Sequence, residues 1–503
     1  MRTSVIAFTP GLVLALALGA AAQDRPVTTN KDNKDTLHVS ISGTVDLDYV
    51  WRSQEITGFT DSAQAEPGPG PAGSHSENTF EGYLAVRMDV DLNDKVSAVI
   101  EFGTKRVDNG EILTWGGTGA NTIFLREARV NVGDFLTQGL KLGAGISDWT
   151  FDVRGRGNSF AFDPRHSEPF GHNMSTVQDG AGTLGNRAGF PQELEPVGFW
   201  LSWTHNQLII ELVALPAVIE GGPVTADESL YAFDLWYLMD SIGKGSKIGA
   251  ILALDHAEAM SNAGFVGSAT SAPIAGTHMD VATIGGGADL RMMDGALELF
   301  GEVYFQFGYG GSNGAVPIPG TPGAGSSARA GGYAFNFGAQ YTIPNNPVWL
   351  GAGFNYLSGD GNSNAGTDKK VSSFMSYGSV KDLMILEDMY YGFNWDTNYW
   401  AFKLNGGFAL SIASGDKNLK IDGILGIART AQTVAFAPGT TTHGLGDEVD
   451  VKATWVLTKQ ASLHAGLAFL FSSEVLKDSM AAIPGSDPKN HAIEYVLGAE
   501  LKF

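Results

Sequence analysis

The sequence predicts an all-β chain: a transmembrane antiparallel β-barrel of about eighteen strands, with short periplasmic turns and long extracellular loops. Three observations carry that expectation. Apolar and polar residues alternate with period two in segments of roughly ten residues, the mark of strands whose two faces meet different media. The connections between those segments alternate between short and long. Beyond residue 22 no stretch is apolar for long enough to make a spanning helix, so residence in a bilayer has to be as a closed barrel.

At its start the chain reads as a secretory signal over 1–22: Arg2, then "VIAFTPGLVLALAL", then small residues at 20–22, with cleavage expected before Gln23. Pro10 and Gly11 interrupt a run already too short for a membrane anchor. Residues 23–36 read as a flexible periplasmic segment, and 37–503 as the barrel, with no linker that would split it.

"LHVSISGTVDLDYVW" (37–51) sets the pattern. Leu37, Val39, Ile41, Gly43, Val45, Leu47, Tyr49 and Trp51 form the face expected in lipid, with Tyr49 and Trp51 at the outer interface. His38, Asp46 and Asp48 are expected in the lumen. The same alternation places strands near 37–51, 80–92, 96–102, 122–132, 139–149, 197–204, 208–214, 229–239 and 247–255. It continues near 280–292, 296–309, 332–343, 348–357, 398–412, 419–429, 448–457, 461–472 and 491–503. Short connections such as "NDK" (93–95), "HNQ" (205–207), "MDG" (293–295), "PNNP" (344–347) and "TKQ" (458–460) separate pairs of strands. Long ones lie near 52–79, 103–121, 150–196, 215–228, 256–279, 310–330, 358–390, 431–446 and 473–490. Segments 150–196 and 370–397 are long enough to hide further strands. The last strand, "HAIEYVLGAELKF", ends its apolar face on Phe503. It resembles the terminal signal that the barrel-assembly machinery of bacterial outer membranes recognises, so that machinery and outer-membrane lipid are the expected partners.

Composition narrows the class. A formal charge of −22 argues against nucleic acid or an anionic membrane surface as partner. With no Cys, an exported chain draws no stability from disulfides. No arrangement of residues calls for catalysis, a cofactor or a metal. "GGSNG" (310–314) fits G-x-S-x-G but sits in a Gly/Pro-rich loop rather than a strand-to-helix elbow. The ten His are scattered and no H-E-x-x-H occurs. "GGG" (285–287) lies within a strand and reads as relief of crowding inside the barrel. "SGDGNSNAGTD" (358–368) approaches a calcium loop, but Ala365 stands where Gly is needed and no Glu closes it, so it reads as a solvated turn.

Eighteen strands without a plug domain point to a diffusion channel rather than a gated receptor or an enzyme. "IFLREARVNV" (123–132) followed by "GLKLGAGISDW" (139–149), and "GAGFNYLSGDGN" (351–362) with the Phe- and Met-rich loop to Tyr391, resemble segments of the alginate-export family of outer-membrane porins. The resemblance implies an eighteen-strand porin. Where that family has Arg after "LG", this chain has Ala144, so a strongly basic constriction does not follow.

Inward positions carry Asp46, Asp48, Glu81, Asp89, Asp91, Glu101, Glu298 and Glu302 against Arg87, Arg129, Lys141, Lys403 and Lys452. Such an acidic lumen favours cations or neutral solutes over alginate itself. Loop 150–196 pulls the other way: Arg154, Arg156, Arg165 and His166 stand beside Asp152 and Asp163, and a loop this long could fold into the pore. Arg154, Arg156, Arg165, Asp152 and Asp163, with Arg126, Glu127 and Arg129, are the candidates for a constriction. The expected function is passive diffusion of small hydrophilic solutes or oligosaccharides across the bacterial outer membrane. The alternative is a non-channel surface protein that binds carbohydrate or serves structurally.

Overall fold

The computed structural model describes residues 37–53, 77–103, 124–146, 197–219, 228–257, 277–312, 327–359, 370–371, 374, 382–387, 398–411, 418–434, 442–474, 477 and 489–503. The signal segment and 23–36 lie outside them. The strands are β1 (His38–Arg52), β2 (Glu77–Asp91), β3 (Val96–Gly103), β4 (Phe124–Val132), β5 (Leu140–Ile146), β6 (Val197–His205) and β7 (Leu208–Ile219). They continue with β8 (Glu228–Leu238), β9 (Lys247–Ala257), β10 (Thr277–Met292), β11 (Leu297–Ser312), β12 (Ser327–Ala330), β13 (Tyr333–Thr342) and β14 (Val348–Leu357). The chain finishes with β15 (Lys370–Val371), β16 (Tyr399–Ser411), β17 (Asn418–Val434), β18 (Thr442–Thr458), β19 (Ala461–Phe471) and β20 (Ala492–Lys502).

Each wall strand pairs antiparallel with its neighbours in sequence, and β1 closes on β20 with Thr44 opposite Lys502 and Arg52 opposite Glu494. Without β12 and β15 the wall has eighteen strands, the number the alternation predicts. Boundaries shift by a few residues. The expected 139–149 strand is described to Ile146, and 147–149 lie outside the described residues. β12 continues the ladder of β13 along β11, separated from it at Gly331 and Gly332. Within 370–397 the described strand is the two-residue β15, which pairs with β12 and does not enter the wall.

The strict two-residue period fixes which face is which, because one register decides every side chain of a strand. On β1, Ile41 is 60% exposed on the outside, whereas Asp48 on the inside is 8% exposed and Arg52 is buried beside Glu494 at 3.1 Å. Large apolar residues exposed on the outer face recur around the wall, among them Phe199, Leu212, Leu252, Phe305, Leu350 and Leu467. Towards the long-loop end, Phe335 stacks on Phe337 and Tyr356, and Phe354 meets Trp400. At the closing seam between β1 and β20, Trp51 stacks on Tyr495 at 5.1 Å. These rings sit where a membrane-interface girdle belongs. Inside, Gly285 makes room for Tyr304: a Cβ there would lie 2.1 Å from the Tyr304 ring. Gly285, the first glycine of the run, thus relieves crowding inside the barrel.

Candidate pore constriction

The inner wall is built of charge. Among the described residues the buried charged side chains are Asp48, Glu127, Asp234, Asp289, Glu298, Glu302, Glu387, Glu448, Asp450 and Glu494, against Arg52 and Lys403. Carboxylates therefore dominate the buried inner surface. On β2–β4 they are tied into a network: Arg87 reaches Asp89 at 3.0 Å and Glu127 at 2.8 Å, and Arg129 reaches Glu127 at 2.9 Å. On β11, Glu302 accepts hydrogen bonds from Tyr304 and Asn336 at 2.8 and 3.1 Å.

Against the wall formed by β16 to β19 lies a piece of the connection between β14 and β16. Residues 382–387, "DLMILE", form a turn whose apolar side chains Leu383, Ile385 and Leu386 are buried inside the barrel. Five successive backbone N–H groups in this turn meet carboxylates. Glu387 accepts from Asp382 and Leu383 at 2.7 and 2.9 Å. Asp450 accepts from Met384 at 3.0 Å, and the two oxygens of Glu448 accept from Ile385 and Leu386, each at 2.7 Å. A row of N–H groups in a turn is an anion nest; here the anions are side chains of the chain itself, two of them on β18.

Lys403 of β16 offsets the converging negative charge. Its ammonium donates to Asp382 at 3.0 Å and to Glu387 at 2.8 Å, while Tyr399 donates to Glu387 at 2.8 Å. Lys452 of β18 donates to the Asp382 carbonyl at 2.9 Å. Shape completes the dock: a Cβ at Gly426 would lie 2.6 Å from Leu383, and one at Gly466 would lie 2.8 Å from Met384. Those two glycines form the seats for the segment. Earlier in the same connection, buried Phe374 packs on Tyr304 of β11 with ring centroids 6.5 Å apart.

The expected constriction residues are distributed differently. Asp152, Arg154, Arg156, Asp163 and Arg165 lie outside the described residues. Arg126 is the position skipped by a register shift between β3 and β4. Glu127 and Arg129 bind each other on the wall. Of the wall residues, Asp46 and Asp48 face inward at the seam, Arg87 and Asp89 belong to the β2–β4 network, and Glu298 and Glu302 are buried on β11. Glu81 stands opposite Asp48 in the ladder. Sequence reasoning missed the role of Lys403, Glu448 and Asp450 as a dock; the Met-rich, apolar character of the loop after β14 was the available signal.

A closed antiparallel barrel with an apolar, ring-belted exterior and a charged interior is a bacterial outer-membrane β-barrel, and the outer membrane is where the protein resides. No family model matches the chain, and no curated protein does. Solved structures of similar fold include OmpT, an outer membrane protein of Vibrio cholerae, at 10% identity over 94% of this chain and 99% of that one, with a TM-score of 0.39. OccAB2 of Acinetobacter baumannii matches at 9% identity over 92% and 98%, with a TM-score of 0.46. A mutant of the Rh. blastica porin matches at 9% identity over 92% and 100%, with a TM-score of 0.38. Likeness at these identities concerns the fold alone.

Proposed function

We propose that the chain is a porin, a passive diffusion channel for small hydrophilic solutes or oligosaccharides, with residues 382–387 setting its narrowest passage. The observation that carries this reading is the docking of that turn on the inner wall through Glu448, Asp450 and the Lys403–Glu387 pair. A segment anchored in this way narrows an eighteen-strand lumen. The excess of inner carboxylates supports a preference for cations and neutral solutes, and so sets the solute apart from the acidic polymer named in the alginate-export resemblance. Outer-membrane lipid contacts the apolar band, and the barrel-assembly machinery receives the strand that ends on Phe503.

Reconstitution of the purified barrel in a planar bilayer tests this. The expected result is discrete conductance steps whose reversal potential under a salt gradient favours cations. A barrel that inserts without conducting would favour the surface-protein alternative, and clear anion selectivity would overturn the acidic-wall account.

A further inference from the structure

Away from the docked turn, the closing seam joins three donor groups from the two ends of the chain. Asp46 and Asp48 stand two apart on β1 and so share its inner face; His464 comes from β19. β20 runs between those strands, and in its register Asp48 lies opposite Gly498, which lies opposite His464. A Cβ at position 498 would lie 1.8 Å from an oxygen of Asp48 and 2.1 Å from Nε2 of His464. With Gly there, the two side chains meet above the middle strand. His464 Nε2 is in hydrogen-bond contact with Asp48 Oδ1 and stands 3.9 Å from Asp46 Oδ1. The three donor atoms all lie within 4.8 Å of one another.

We propose that Asp46, Asp48 and His464 form a divalent-cation site of the zinc class, which staples β1 to β19 across the seam. One imidazole nitrogen and two carboxylate oxygens on one side leave the remaining positions to water from the barrel interior, a donor set that suits Zn²⁺ or Co²⁺. Calcium is disfavoured, because it takes six to eight oxygens and gains little from imidazole. Asp48 is buried and Asp46 and His464 are part-buried, which limits competition from bulk water. A cation held there binds the closed barrel and not the open chain, so it stabilises closure by mass action.

The test uses the full barrel, folded in detergent, with Co²⁺ as a spectroscopic probe and Zn²⁺ as competitor. One equivalent of Co²⁺ should develop visible ligand-field bands that Zn²⁺ abolishes. Zn²⁺ should also raise the temperature at which the folded band is lost on electrophoresis. His464→Ala and Asp46→Asn should each weaken Co²⁺ binding at least about tenfold, since even the loss of a supporting group around a metal costs about that much. His256→Ala, which alters an exposed His–Asp pair on another part of the wall, should leave binding unchanged. If His464→Ala fails to assemble, Asp46→Asn decides the matter, because it leaves the Asp48–His464 hydrogen bond in place. Equal Co²⁺ affinity in the unmodified protein and in Asp46→Asn or His464→Ala would overturn the proposal, whatever the conductance of the barrel.

Discussion

Replacing Glu448 by Ala should release the turn at 382–387. The two oxygens of Glu448 accept the N–H groups of Ile385 and Leu386, both residues being fully buried. Leaving a buried donor without its acceptor costs about 1–3 kcal/mol, so losing both costs about 2–6 kcal/mol. At about 1.4 kcal/mol per factor of ten, the ratio of docked to undocked turn falls by roughly thirtyfold to twenty-thousandfold. Water entering the space of the lost side chain would push the effect towards the lower end, and Asp450 and the Lys403–Glu387 pair still hold the flanks. Glu448→Gln keeps one acceptor and should fall between the two. Single-channel recording reads the outcome: Glu448→Ala should conduct more per channel, or flicker between two levels, while remaining a heat-modifiable folded barrel. Unchanged conductance with unchanged open-channel noise in a folded variant would refute the reasoning.

Three further outcomes follow from other parts of the wall. Val45→Arg, at the centre of β1 on the lipid face, should cost roughly 2–4 kcal/mol in a lipid refolding assay, whereas Thr44→Arg on the inner face should be tolerated; equal losses would contradict the assignment of faces. Phe503 pairs with Gly43 through both backbone hydrogen bonds, and its ring fills the space a Cβ of Gly43 would occupy; Phe503→Ala should lower the yield of assembled barrel while secretion continues, as read from membrane fractions. Lys403→Met removes the buried cation between Asp382 and Glu387, which should weaken docking by about 3–5 kcal/mol and shift the reversal potential further towards cations.

Much of the architecture was legible because a half-lipid, half-water strand writes its two faces into every second residue. Ile41 and Leu47 lie outside and Asp48 inside for the same reason that all eighteen strands could be placed. What the alternation cannot report is how a connection folds back. The contacts of Glu448 with Ile385 and Leu386 span 63 and 62 residues and follow no period. The glycines that seat Leu383 and Met384, Gly426 and Gly466, look in sequence like other strand glycines. Arginine density drew attention to 150–196, whereas the inward turn "DLMILE" carries its signal in apolar residues where a solvated loop would be polar. Asp48 and His464, separated by 416 positions, become neighbours through barrel closure alone.

The most direct test of the constriction uses the absence of native Cys. Met384 is part-exposed at the docked turn, and Met384→Cys places a single thiol there. In a planar bilayer, adding a water-soluble, charged thiol reagent should lower the conductance of this variant in discrete steps and leave the unmodified protein unchanged. A Met384→Cys channel that reacts fully, as shown by mass, yet conducts as before would contradict the placement of residues 382–387 at the narrowest point.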